Sequence, residues 1–316
     1  MTGALYPSTW LPPWRWKQWP VGVLSAPASA DQEPAASPVV LIHGFGACKE
    51  HWRHNVPALR AERAVYALDL LGFGASSKPT AQLEGEPEGP GSVRYGIDLW
   101  SQQVVDFITS QVKQPVQLVG NSIGGVVALA AAQQLERAGT PARSVVLLDC
   151  AQRALDDKRL AEQPALRRWG RPYLKRLVRQ RWLTAALFQS LSRPGVIRKV
   201  LLQAYPSGAN VDDQLVEILL RPSRQAGADE AFRGFINLFN DRLAPELLGE
   251  LNTPVTLIWG ERDPWEPIEE ARRWQRFPCV KHLHELPGLG HCPHDEAPER
   301  VNPLLLAALR QGDLNP

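Results

Sequence analysis

Cysteine is scarce in this chain. The four present, Cys48, Cys150, Cys279 and Cys292, form no C-x-x-C pair. Three of them adjoin strand-like or motif segments, so they read as reduced thiols of a reducing compartment and not as a disulfide framework. Net charge is equally slight. The 35 Lys and Arg against 33 Asp and Glu leave +2, too little by itself to indicate a nucleic-acid partner. No apolar run approaches the ~20 residues of a transmembrane helix. The N-terminus lacks the basic-then-apolar order of a signal peptide. There is no internal repeat and no low-complexity tract. A soluble, cytoplasmic protein is expected, peripheral to a membrane at most.

What is present suits a catalyst. With 316 residues and 44% hydrophobic composition, a sizeable core can form. Residues 1–36 concentrate tryptophan among prolines, in "TWLPPWRWKQWP". They read as edge strands with cross-strand aromatic packing, or as a sticky arm. Residues 28–38, "ASADQEPAASP", read as a turn or short linker. From residue 39 the pattern changes. "VVLI", "RAVYALDL", "PVQLVG", "SVVLLDC", "PVTLIWG" and "VKHLHEL" are apolar runs without strict alternation, as in a parallel sheet buried on both faces. Helical stretches separate most of them, and Gly139 is a plausible C-cap for the one after Ser122. The alternation predicts a doubly wound α/β sheet. It breaks over residues 151–245, where no strand is evident. That stretch reads as a helical cap, inserted into a core made of 37–150 and 246–316.

Gly120-Asn121-Ser122-Ile123-Gly124 falls between a strand and a helix. A serine placed there sits on a sharp, strained turn with Oγ exposed above the sheet. A serine hydroxyl needs a base, itself oriented by an acid. On such a sheet the chain order is Ser, then acid, then His. Asp263 in "GERDPW" and His291 in "GLGHCPHDE" follow the last two strands in that order. Two backbone amides are expected to hold the oxyanion: Ile123, after the nucleophile, and Phe45 in "HGFG". Among competitors, Asp149 is an alternative acid and Glu261 is expected to point elsewhere. His43 reads as structural, His294 as opening a helix, and His51 and His54 as surface or packing residues. His282 and His284 alternate in a strand, and Ser76 reads as a turn residue. No His–carboxylate group has zinc spacing, so neither metal nor cofactor is expected.

"HGFG", "DLLGFGASSKP", "GNSIGG", "GERDPW" and "GLGHCPHDEAPE" together resemble the α/β-hydrolase family in its cap-bearing form, over residues 37–310. Within it, "GNSIGG", "GERDPWEP" and "GHCPHDEAPE" look most like the plant and cyanobacterial group of pheophytinase and chlorophyll dephytylase. The resemblance implies a cofactor-free serine esterase with Ser122, Asp263 and His291 as its triad. A small apolar ester is implied as substrate, such as a phytyl-type tetrapyrrole ester. C–C bond hydrolysis, thioester hydrolysis and perhydrolysis remain open, as does a non-hydrolytic ligand-binding role. Haloalkane dehalogenases and epoxide hydrolases share cap and loops but use aspartate where Ser122 stands.

The cap itself carries no recognised motif. Residues 158–199 hold twelve Lys or Arg and one acid, Glu162, interleaved with Trp169, Tyr173 and Trp182. Two readings stay open. The stretch is a lid with solvated cations, or it also meets an anionic membrane surface.

Overall fold

The computed structural model describes residues 5–29 and 36–314. Its centre is a seven-stranded sheet. The strands are β3 (Val23–Ala26), β4 (Val39–Ile42), β5 (Val65–Leu68), β6 (Gln117–Asn121), β7 (Ser144–Leu148), β8 (Val255–Gly260) and β9 (Val280–Leu286). They lie in the order β3-β5-β4-β6-β7-β8-β9. Only β3 runs antiparallel, against β5; the other pairs are parallel. This is the α/β-hydrolase fold, and each apolar run from residue 39 onward is one of its strands.

The helices are α1 (Val56–Leu59), α2 (Ile97–Phe107), α3 (Ile123–Arg137), α4 (Ala165–Val178), α5 (Arg181–Leu191), α6 (Pro194–Ala204), α7 (Asp213–Ser223), α8 (Ala228–Ile236), α9 (Ala244–Glu250), α10 (Ile268–Trp274), α11 (Pro293–Glu296) and α12 (Pro298–Asp313). Helices on both faces bury β4, β6, β7 and β8 completely, which is why those strands show no polar face. Alternate residues serve opposite layers. Val40 and Ile42 join Trp100 and Val126 in one core, while Val39 and Leu41 join Trp52 and Leu305 in the other. At the edge, β9 exposes Lys281 and His282, charge and polarity that discourage further pairing. Helix α3 ends on Gly139 at φ +76°, where Gly139 N–H and Thr140 N–H donate to Glu136 O and Leu135 O.

The tryptophan-rich start forms a hairpin of β1 (Trp14–Trp16) and β2 (Trp19–Val21), with Trp16 opposite Trp19. It is fastened to the core. Trp16 Nε1 donates to Asp106 Oδ2 at 2.7 Å, and Trp14 meets the ring of Phe107 edge-on at 5.0 Å. The linker read over 28–38 lies largely outside the described residues.

Between β7 and β8 the described chain is helical, from α4 to α9. Its halves differ. Tyr205, Leu201, Leu215 and Val216 make a small core that also takes in Cys292, so α6 and α7 are anchored beside the loop after β9. By contrast, α4 and α5 bury only Arg171 and Thr184. No helix among the described residues is long and apolar enough to cross a membrane.

Candidate active site

The site is built where β4, β6, β8 and β9 end. The order in which strands are added to the sheet reverses at β4, because β5 lies on one side and β6 on the other while all three run parallel. Loops leaving β4 and β6 therefore part and open a crevice at the strands' carboxyl ends. Ser122 sits there at φ +54°, ψ −125°, a conformation that costs a non-glycine residue energy and is held by its surroundings. Its N–H donates to Leu148 O at 3.0 Å, and its carbonyl accepts from Gly125 and Ala151. The flanking glycines are steric necessities. A methyl on Gly120 would stand 2.3 Å from Gly124 O, and one on Gly124 would stand 2.4 Å from Ile42 O.

His291 and Asp263 are in contact. His291 Nδ1 is 2.7 Å from Asp263 Oδ2, and both side chains are buried. The other oxygen, Asp263 Oδ1, accepts from the amides of Trp265 at 2.8 Å and Glu266 at 3.1 Å. The carboxylate is thereby fixed with one oxygen toward the imidazole. Trp265 meets the His291 ring edge-on at 4.9 Å. Asn121 ties this pair to the serine turn, donating from Nδ2 to His291 O at 3.0 Å and to Leu148 O at 3.1 Å.

The loop after β4 closes the other side. A methyl on Gly44 would be 3.1 Å from Ser122 Cβ, so the "HGFG" backbone lies against the serine. Among the described residues, neither Phe45 N–H nor Ile123 N–H has an acceptor. The Phe45 ring stacks on Phe235 at 3.8 Å. Beside it runs a cleft lined by Phe45, Phe73, Leu219, Phe232 and Phe188 of α5, with Lys78 at its margin. Lys78 is engaged elsewhere, donating to Gly74 O, Ser76 O and Gln225 Oε1.

The competing residues have other roles. Asp149 is buried, and its Oδ1 accepts from Gly260 N–H at 2.9 Å. Burial, with Asp263 adding to it, pushes its carboxyl well above the usual carboxylate range. Glu261 is exposed. His43 accepts from Leu70 N–H at Nε2, 3.0 Å, and meets Gly44 O through Nδ1, 2.7 Å, so it shapes the loop. Ser76 bridges Asp69 O and Gly22 N–H. His282 and His284 lie side by side on β9.

Of the two histidines read as surface or packing residues, His51 packs inside the fold. It is buried with Nε2 at 2.8 Å from Tyr205 OH, and Tyr205 OH donates to Asp295 Oδ2 at 3.0 Å. Arg53 holds the same carboxylate at 2.8 Å. The "KEHWRHN" segment is the inner wall that joins the loop after β4 to the loop after β9.

Sequence reasoning missed three contributors. Asn121 was unremarked inside the serine motif, and Trp265 and Glu266 inside "GERDPWEP". Glu266 Oε2 accepts from Gln152 N–H at 2.8 Å, and burial pushes its carboxyl up to about 7. Cys48, Glu50 and Asp69 gather ligand-type atoms within 4.8 Å. Lys49 Nζ pairs with both carboxylates, at 3.0 and 2.9 Å, and Arg221 reaches Glu50 at 3.2 Å, so two side-chain cations already serve this group.

The chain matches the model of the alpha/beta hydrolase family over residues 39–304 and belongs to that family. It is 28% identical to a chloroplastic pheophytinase of Arabidopsis thaliana, across 85% of this chain and 60% of that protein. It is also 28% identical to the dihydrolipoyllysine-residue acetyltransferase component of the acetoin cleaving system of Pseudomonas putida, across 87% of this chain and 64% of that one. It thus spans less than two thirds of either relative. A 2-hydroxy-6-oxo-2,4-heptadienoate hydrolase of Pseudomonas putida is 24% identical, across 81% of this chain and 83% of that protein. In structure it is similar to a serine hydrolase involved in carbazole degradation, with TM-score 0.69, 20% identity and coverage of 93% and 96%. The chain belongs to a family of hydrolases, and its similarity to pheophytinase extends over most of its length.

Proposed function

We propose that the protein is a serine hydrolase that cleaves a carboxylic ester of a largely apolar substrate through an acyl-enzyme. The observation that carries this reading is the 2.7 Å contact of His291 Nδ1 with Asp263 Oδ2, tied through Asn121 to a serine on a strained turn. In this reading Ser122 Oγ attacks the ester carbonyl. Neutral His291 accepts the serine proton at Nε2 and returns it to the leaving alcohol. Asp263 fixes the tautomer by accepting from Nδ1–H and stabilises the imidazolium that forms. The amides of Phe45 and Ile123 donate to the developing oxyanion, each worth ~3 kcal/mol of barrier. Water, activated by the same histidine, then releases the acid.

The mostly apolar lining of the cleft favours a hydrocarbon chain as the bound part of the substrate. A phytyl-type ester is the reading that fits both this lining and the pheophytinase similarity. The heptadienoate of the 24% identical relative is a carboxylate, whereas the polar side chains of the cleft, Lys78 and Ser223, already donate to other protein acceptors. The test is hydrolysis of an ester panel, from p-nitrophenyl acetate through long acyl esters to phytyl tetrapyrrole esters, by wild type and Ser122→Ala. Turnover that rises with chain length and vanishes in Ser122→Ala supports the reading. Retained turnover in that variant removes Ser122 from the mechanism.

A further inference from the structure

Helix α4 is amphipathic the wrong way round. Leu166, Trp169, Tyr173 and Leu177 are spaced 3, 4 and 4 apart, so they share one face. That face looks outward: the four are 82%, 78%, 66% and 54% exposed. The face turned to the protein is the charged one. Arg171 is buried, pairs with Asp157 Oδ1 at 3.2 Å, donates to Leu155 O and lies 4.4 Å over the Phe239 ring. Lys175 joins the same carboxylate and ring. A helix at the surface of a globular protein does the reverse, hiding its apolar stripe and presenting its charges. The next helix, α5, continues the exposed surface with Trp182, Leu187 and Leu191.

The charge beside this face is of one sign. Arg167, Arg168, Arg176, Arg193 and Lys199 are exposed, and none has an acidic partner among the described residues. Glu162, the lone acid of residues 158–199, is already held by Arg159. An apolar surface rich in tryptophan and tyrosine, rimmed by unpaired cations, has the composition of an interfacial helix. A second copy of the chain would cover the apolar stripe but would bring two cationic rims together. An anionic surface satisfies both features.

We propose that the outer face of α4, with α5 beside it, docks the protein on a lipid surface that carries anionic headgroups. Trp169, Tyr173 and Trp182 would enter the headgroup layer, and Arg167 and Arg176 would lie against its charge. The sequence grouped Arg171 and Lys175 with these cations; the fold uses both to hold α4 down. Docking would also bring the apolar cleft beside Phe45 toward the interface. The same α5 supplies Phe188, which packs on Phe232 at 5.3 Å and lines the cleft beside Phe45. What the surface would deliver rests on the ester reading above, whereas the docking is tested without turnover.

The experiment is co-sedimentation of the full chain with sucrose-loaded vesicles, of phosphatidylcholine alone or with one third phosphatidylglycerol. Wild type should pellet with the anionic vesicles, weakly or not at all with the neutral ones, and less as salt rises. Each of Arg167→Gln and Arg176→Gln should weaken binding about fivefold. Trp169→Ser with Trp182→Ser should weaken it about tenfold or more, while leaving hydrolysis of p-nitrophenyl acetate and the circular dichroism spectrum unchanged. Ser122→Ala should bind as wild type does, so that binding without any ester turnover would leave the docking standing and the ester reading lost. Equal, negligible pelleting with both vesicle types overturns the proposal. So does a dimer in sedimentation velocity that the tryptophan variant dissociates, if it is accompanied by no vesicle binding.

Discussion

Asn121 Nδ2 donates to His291 O at 3.0 Å, so the residue before the serine holds the backbone of the histidine. The same amide group also reaches Leu148 O. One side chain therefore sets the spacing between the turn after β6 and the loop after β9. Asn121→Ala leaves two buried carbonyls without that donor, at a cost of ~1–3 kcal/mol. It also frees the His291 loop to drift. With a p-nitrophenyl ester, kcat should fall by ~10- to 100-fold with KM little changed. An unchanged kcat would show that the loop is positioned without Asn121.

Asp263 and Asp149 stand at the ends of adjacent strands and should respond in opposite ways. Asp263→Asn removes the acceptor that fixes the His291 tautomer, and kcat should drop by about 10⁴. Burial and the neighbouring Asp263 oppose the charge of Asp149 and favour its neutral carboxyl. Asparagine is then close to an isostere, so Asp149→Asn should change kcat and thermal midpoint little. Reversed outcomes would place the orienting acid after β7.

Glu266 gives stability a slope of unusual sign for a carboxylate. Burial raises it from the ordinary 4.5 to about 7. Between those values the folded chain keeps a proton that the unfolded chain has released. Stability therefore declines as pH rises through that window and levels off above it. In Glu266→Gln this decline should be missing, and the variant's advantage over wild type should grow from pH 4.5 to about 7. Thermal midpoints of both proteins across that range decide it. Parallel curves would mean that Glu266 does not titrate there.

His51 and His294 act on the acid side. Burial lowers His51 from 6.5 to about 4, and it lowers His294 well below its usual range. Neither His294 ring nitrogen has a hydrogen-bond partner among the described residues, while its ring packs 4.4 Å from that of Trp52. Below pH 6.5 the unfolded chain takes up protons that the folded chain refuses, so stability falls as pH falls. His294→Phe keeps a ring and removes one such group. Its loss of thermal midpoint between pH 6.5 and 4 should be smaller than that of wild type. Equal losses would remove His294 from the acid response.

The parallel strands were legible because burial on both faces writes them as unbroken apolar runs: "VVLI" is β4 and "PVTLIWG" contains β8. Ser122 was legible because the strained turn needs Gly120 and Gly124, two residues that mark the sequence. Tertiary partnership left no such mark. Asn121 makes its bonds to Leu148 and His291, residues distant in the chain. The helical, polar "KEHWRHN" resembles a surface stretch, and its burial depends on Tyr205 and Asp295. In α4 the sequence displayed cations and aromatics at helical spacing. Which face turned inward was decided by Asp157 and Phe239, outside that helix.

The strands β7 and β8 are hydrogen-bonded neighbours, Val145 beside Val255, although all of α4 to α9 is strung between them. To the sheet this excursion is a long loop. Closing such a loop becomes dearer only with the logarithm of its length, about 0.6 kcal/mol for each doubling. The strands can therefore keep their register while the excursion is lengthened, shortened or replaced. In the proposed reading, the triad and the helical excursion over it belong to parts of the chain that can be inherited separately.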